Sequence, residues 1–476
     1  MNNQDKPPAG QLPSYITSAT PNPPEKRAPW YANTAPTYAG IFLWFVFWQD
    51  AVNAPNAGGM LSQGVGWALL SLVLAALVCH FLFYLVPGLL GMKTGLPLYI
   101  VGTSTFGAQG GFLMPGFLMG VLQFGWVGVN VYFSSQALAP VIPVVPKPVI
   151  MVVWGVLAAF VGLKGIQYVA RVATYVPLIP LVILLILLAK TAGTIGSFDP
   201  QKFIAMHQNL SPKVPTALST FGVLAAMMTY VVGFFATAGA AGVDFGINSR
   251  NKNDVQMGGL IGIALAITVT AGIWLLVVAG AYGSPDFSTA AVAEASKTNP
   301  PTLMVHTTDL IPIVMGKSAP LILFLLALAA FPPACFSAFI AANSFKTTLP
   351  NVNPFISVGI GTVVSIVLAI TGLAGKAIVV FEIIGASFGP ICGAMMVDYL
   401  LAGGKWSGPR AGFNPAGWIA WLAGFVVGIL PILNIYQVPA APVAAFVVGA
   451  VVYFLCARLG LQSQVIPIPA RPAAPK

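Results

Sequence analysis

The sequence predicts an all-α polytopic membrane protein, and three observations carry that expectation. Of 476 residues, 57% are hydrophobic and only 7% are charged, against roughly 25% charged in soluble domains. Apolar runs long enough to cross a hydrocarbon core of roughly 30 Å recur along the chain. The 30 Phe and 10 Trp suit lipid-facing surface and interfacial belts. The formal charge of +10 does not mark a nucleic-acid partner, because Lys and Arg are scattered through short loops rather than gathered on one face. Anionic lipid headgroups and the bias of basic residues toward the cytoplasm account for it. Cys79, Cys335, Cys392 and Cys456 lie in apolar runs without metal-ligand spacing and read as reduced packing residues.

In chain order, residues 1–35 are polar and rich in Pro, the composition of a disordered tail. No short apolar segment there ends in a cleavage site, so the first apolar run is expected to direct insertion itself. Twelve runs follow, at 36–59, 64–90, 111–138, 148–169, 173–192, 217–242, 257–283, 318–343, 354–373, 376–401, 415–437 and 440–459. They are called run one to run twelve below. The Pro-rich end, 461–476, is expected to be extended and unpacked. With an inside N-terminus, Arg27, Arg171, Arg250, Arg410, Arg458 and Arg471 and most lysines fall on the cytoplasmic side, so both termini are placed inside. The longest connections, 193–216 and 284–317, then lie outside, and their His207 and His306 read as solvated loop residues.

Run six closes on VVGFFATAGAAGVD at 231–244. Gly weakens a helix by roughly 1 kcal/mol relative to Ala, and small side chains let a backbone or a ligand come close. Two readings follow: a discontinuous helix with a flat aromatic ligand against Phe235, or a tight helix–helix contact. Run one, with Asp50, Asn53, Pro55 and Asn56, lies five runs earlier, the spacing of an inverted five-plus-five repeat. Run eight is expected to break at Pro332 and Pro333.

Polar groups at membrane depth are the functional candidates. Asp50 lies near 20 Å along run one at a rise of about 1.5 Å per residue. A carboxylate there needs a partner, water, a proton or a cation. Trp48 and Gln49 beside it are candidates for substrate contact or for packing. In run three, Gln123, Trp126, Asn130 and Ser134 share one helix face. Gln reads a polar edge and Trp offers a stacking surface; the alternative is polar glue between helices. Asp398 in run ten reads as a structural salt bridge or cap rather than transport chemistry, Glu382 as either gating or interfacial, and Asp244 as a member of an anchoring network with Arg250 and Lys252. The three histidines fall in separate segments, so no Ser/His/Asp set assembles, and no phosphate loop or paired thiol motif is present. The chain is not read as an enzyme.

Four stretches carry a family resemblance: GMKTGLPLYIVGTSTFG, GFLMPGFLMGVLQFGWVGV, VVGFFATAGAAGVDF and GASFGPICGAMMVDYLL. In order and spacing they resemble the nucleobase–cation symporter-1 family, of the purine–cytosine permease type. The resemblance implies a five-plus-five inverted repeat with discontinuous helices one and six and two accessory helices. It divides the chain into a first repeat at 36–192, a loop at 193–216, a second repeat at 217–402 and accessory helices at 403–460. It implies alternating-access import of a nucleobase or related planar nitrogen heterocycle, driven by a proton or sodium gradient, in a bacterial inner membrane. No cofactor or metal is expected beyond the coupling ion, and the partners are the heterocycle and membrane lipids; the oligomeric state stays open.

Carried over residue by residue, Trp126 would stack on the heterocycle and Gln123 would hydrogen-bond its edge, with Asn130 on the same face. Phe235 and Thr237 match an aromatic and a hydroxyl residue that contact substrate, and Gly233 would add backbone hydrogen bonds. Run eight departs from the family: AAFPPACFSAF replaces the usual hydroxyls and Asn, leaving Ser337 toward the substrate and Cys335, with Asp50 and Phe47, toward the ion. Hydroxyl ligands suit sodium better than Pro or thiol do. Two rival readings are a transporter of the same fold for an amino acid or other small polar solute, and an uncoupled channel or sensor.

Overall fold

A computed structural model describes residues 12–165, 167, 169, 175–298 and 300–468. All named elements among them are helical; the only β pairing is two isolated bridges, Ala28 with Ser249 and Arg410 with Val465. Among the described residues, nine helices are long and apolar enough to cross a membrane, from Val65–Thr94 to Ala441–Arg458, and Pro354–Ile370 and Pro415–Ile429 are shorter apolar helices. Their outward faces are apolar: Val152, Val156 and Phe160 on run four and Ile360, Val363 and Val367 on run nine are exposed, as lipid-facing side chains are.

Run one is divided. Helix Thr34–Leu43 ends at Trp44, whose ψ of 121° is extended, and Phe45–Gln49 restarts before a tight turn at Asp50–Val52. In an unbroken helix Trp44 and Trp48 would share a face. The break lets them point to different neighbours: Trp44 to Trp126 of run three, Trp48 to Trp274 of run seven. Trp48 Nε1 donates to the Leu43 carbonyl at 3.2 Å, satisfying an acceptor at the break.

Run six is a continuous helix, Thr220–Ala240, started by the Ser219 hydroxyl accepting from Gly222 N. Its interruption comes at Ala241, followed by Gly242–Gly246. The discontinuity therefore lies beyond Gly233, which sits in intact helix with run ten against it: a Cβ there would stand 2.7 Å from the Phe381 carbonyl oxygen. The tight-contact reading describes Gly233. Run eight also corrects its expectation. Ala319–Thr348 passes through Pro332 and Pro333 without a break, held by run three, where the Asn130 amide donates to the Ala330 carbonyl at 2.8 Å. Neighbouring helices and side chains that satisfy backbone groups make such prolines tolerable.

Both described ends of the chain lie on one face, here the terminal face. Residues 12–33 are folded onto it rather than disordered. Asn22 N donates to Gly95 O, Arg27 Nη1 to Met92 O and Ala28 N to Asn248 O, at 2.8–2.9 Å, and Tyr15 hydroxyl donates to Ala108 O. The C-terminal stretch is extended as expected yet packed, with Ala411 N to Gln464 O at 2.9 Å and Ile466 N to Pro409 O at 2.8 Å. Residues 1–11 and 469–476 lie outside the described residues. The opposite face carries the long connections, where Pro200–Leu210, Pro285–Ala295 and Thr307–Met315 are short helices; it is called the lid face.

Candidate functional site

The buried aromatic residues of runs one, three, six and ten meet between the two faces. Trp126, 8% exposed, is edge-on to Trp44 at 6.0 Å and to Phe234 at 4.9 Å, and tilted against Phe381 at 5.4 Å. Its Nε1 donates to the Thr237 hydroxyl at 3.3 Å. Trp126 and Thr237 are therefore brought together, as both candidates require. Gln123, one turn away on the same face, donates only to Met119 Sδ at 3.5 Å among the described residues. A thioether is a weak acceptor, so this amide is easily redirected.

Phe235 is turned away. It is fully buried against Tyr38 and Phe42, at 5.8 and 5.9 Å, and its neighbour Phe234 holds the place facing Trp126. Adjacent residues of a helix point about 100° apart, so the doublet cannot put both rings on one ligand. Phe234, Phe381 and Trp44 are the residues that sequence reasoning missed; the FF doublet and the WFVFW string were visible signals without a register to interpret them. Among the described residues the buried Trp44 Nε1 has no hydrogen-bond partner, as is also true of Trp274 in run seven, whereas the indole nitrogens of Trp126 and Trp48 are engaged.

Other candidates are committed elsewhere. Asn130 donates to Ala330 O, and its carboxamide oxygen accepts from Trp154 Nε1 at 3.0 Å and Ser134 at 3.2 Å. That is the polar-glue reading of the lower part of the run-three stripe. Trp48 packs on Trp274 rather than toward Trp126. Phe47 is buried in the ring cluster, stacked on Tyr230 at 5.7 Å and 4.6 Å from Phe234, so its side chain offers an ion nothing but ring faces. Cys335 is buried with Ala158, Val169 and Ala334 toward run four, and Ser337 is half-buried two residues further on. All four cysteines are free and buried. Among the described residues, no group of three or more His, Cys, Asp or Glu is arranged to hold a metal ion.

Asp50 and Gln49 belong to the lid face. Asp50, 2% exposed, has its Oδ1 2.8 Å from His306 Nε2, and Gln49 Oε1 accepts from the Thr307 hydroxyl at 2.7 Å. His306 is thus a partner of run one and not a solvated loop residue. Its conversion from loop to site required the fold of 284–317, which no local pattern encodes. His207 also departs from the solvated-loop expectation: it is half-buried in helix Pro200–Leu210 and accepts from Gly58 N of run one at 3.2 Å.

Two further buried carboxylates, Asp398 and Asp244, make structural contacts. Asp398 accepts from Arg410 Nη2 at 3.1 Å, Tyr453 hydroxyl at 2.8 Å and Ser407 at 3.2 Å, the salt bridge expected for it. Asp244 does not join Arg250, which pairs with Asp254 at 2.9 Å; it accepts from Leu98 N at 2.9 Å instead.

Comparisons with known proteins agree with this architecture. Three solved structures are similar across nearly the whole chain. The inward-facing conformation of Mhp1 has a TM-score of 0.64 at 15% identity, covering 94% of this chain and 96% of that one. Mhp1, described as a nucleobase-cation-symport-1 family transporter, in a closed conformation with bromovinylhydantoin bound, gives 0.60 at 16% identity, covering 93% and 95%. A substrate-bound, outward-open Na+-coupled sialic acid symporter gives 0.55 at 13% identity, covering 95% of each chain. At these identities the likeness shows the fold. No curated protein sequence matches the chain. The model of a family of permeases for cytosine/purines, uracil, thiamine and allantoin matches residues 21–456. The chain carries this match over nearly its full length and belongs to that family of permeases, which are membrane transporters.

Proposed function

We propose that the protein imports a nucleobase or related planar nitrogen heterocycle, and that the ligand lies against Trp126 between runs one, three, six and ten. The observation that carries this reading is the buried ring cluster of Trp44, Trp126, Phe234 and Phe381, bordered by a carboxamide at Gln123 that is held only by a thioether. Flat aromatic faces suit a heterocycle and are poor partners for a zwitterion, which requires a charged or helix-terminus site. The rings touch one another here, so a ligand enters by parting them, with Trp44 moving on the hinge at the break in run one. The unpartnered Trp44 Nε1 then donates to a ring nitrogen or carbonyl oxygen, and Gln123 pairs with a second polar edge.

Transport proceeds by alternating access, driven by a cation gradient, with the terminal face cytoplasmic. The lysine and arginine bias supports that orientation, and a bacterial inner membrane fits it. Radiolabelled uptake into proteoliposomes, with a heterocycle panel and imposed proton or sodium gradients, tests the reading. Saturable uptake of at least one base is expected. Uptake of none, or competition by amino acids alone, overturns it; unsaturable flux would make the protein a channel.

A further inference from the structure

We propose that the lid helix Thr307–Met315 closes on run one through a proton-binding site, in which His306 at its N-terminus takes up one proton each time it docks between Asp50 and Asp309. This goes beyond the assignment of a substrate. It rests on alternating access only for its consequence for uptake, and not on which heterocycle is carried.

The geometry has two independent parts. His306 Nε2 lies 2.8 Å from Asp50 Oδ1, and Nδ1 lies 3.4 Å from Asp309 Oδ2. An ionised carboxylate only accepts hydrogen bonds, and a neutral imidazole has one N–H. Both ring nitrogens face carboxylates, so the docked arrangement calls for the doubly protonated ring. The second part is the burial of Asp50, whose side chain is 2% exposed while the His306 ring is 31% exposed. An ionised carboxylate so buried is unfavourable without a cation, and the imidazolium is the cation that the lid brings. Thr307, next in the chain, donates to Gln49 at 2.7 Å and fixes the register. Asp309 Oδ2 also accepts from the His306 backbone N–H at 3.4 Å, which ties the ring's own segment to helix Thr307–Met315.

Other groups face the pair. From run six, Tyr230 is within electrostatic reach of Asp50, and its buried hydroxyl has no hydrogen-bond partner among the described residues. From run seven, Tyr282 is within electrostatic reach of Asp309 and donates to Met304 O at 2.8 Å. Neither supplies a positive charge. Burial by itself pulls the imidazole down, but the hydrogen bonds and charges of Asp309 and Asp50 outweigh it and lift His306 from 6.5 to about 10. An undocked His306 titrates near its ordinary value of about 6.5. A group raised in the closed state favours closure most fully below the open-state value, and that contribution fades as pH climbs toward the closed-state one. Between those limits closure binds one proton, and its equilibrium constant falls by up to about tenfold per pH unit.

The test is lid opening in the purified protein in nanodiscs, without substrate. Ile311, fully buried on the lid helix, is replaced by Cys, and its maleimide alkylation rate is divided by that of a reference Cys at exposed Lys317. This ratio removes the pH dependence of the thiol itself. With His306 and Asp50 intact, the ratio should rise between pH 6.5 and 9 by up to about tenfold per unit. H306Q should give a high, flat ratio, and H306K, which keeps a charge without titrating in this range, a low, flat one. Asp50→Asn should flatten the profile as well. A slope that survives in H306Q, or a flat profile with His306 and Asp50 intact, overturns the proposal. Absence of heterocycle uptake alongside the expected labelling profile would refute the substrate assignment and leave the latch standing.

Discussion

Replacing Phe234 and Phe235 in turn separates the geometry from the sequence pattern, because the two rings are adjacent, equally buried and chemically identical. Phe234 is 2% exposed and touches Phe42, Trp44, Phe47, Trp126 and Phe381; Phe235 is fully buried and touches Tyr38 and Phe42. A Leu at either site keeps the core apolar and changes volume modestly, a class of change that usually costs less than about 1.5 kcal/mol of stability. Loss of ring pairing adds about 0.5–1.5 kcal/mol per aromatic pair at either site. Binding is where the two differ. If a base lies against the Trp126–Phe234 face, F234L removes one stacking surface, worth about 1–3 kcal/mol per base, which is about 5- to 150-fold in Kd. F235L should stay within about twofold, since its ring packs on Tyr38 and Phe42 and not on Trp126 or Trp44. Isothermal titration of the purified variants, with uptake KM as a second readout, measures this. F235L weakening binding more than F234L, or both leaving Kd unchanged while the protein remains folded, would refute the placement of the ligand.

Three further outcomes follow from the same contacts. W44F keeps the ring and removes the free N–H, so it should weaken binding of bases with a carbonyl or ring-nitrogen acceptor by roughly the 0.5–1.5 kcal/mol of one hydrogen bond, and leave analogues lacking that acceptor unaffected in the same titration. R410M leaves Asp398, whose side chain is 4% exposed, without its cation; breaking a buried pair costs about 3–5 kcal/mol, so thermal unfolding should fall sharply while the KM of surviving protein holds. G233V places side-chain atoms where even a Cβ would stand 2.7 Å from the Phe381 carbonyl, and it should fail to give a monodisperse peak in fluorescence-detected size exclusion, whereas V232A beside it should not.

Much of the architecture was legible because a membrane imposes one-dimensional rules. Length and apolarity place spans, and basic residues bias their orientation. The run-three stripe was legible for the same reason, since Gln123 and Trp126 share a face in any helix. What failed was everything that depends on the rotation of one helix against another. Phe234 and Phe235 are indistinguishable in the sequence, and only the seating of run six on runs three and ten decides which one meets Trp126. Asn130 lies on the right face but at the depth of Ala330, so it ties helices together. The prolines of run eight lost their power to break because a neighbour holds the surrounding backbone.

His306 shows the same division at its clearest. The sequence alone determined a polytopic helical bundle with a lone carboxylate inside run one, read as lying at membrane depth, because hydrophobic length and the need to partner a buried charge are properties of single segments. Only the tertiary structure decided what that partner is. It folds a connection 256 residues distant in sequence onto Asp50, and long-range contact is a property of the packed chain that no local pattern carries.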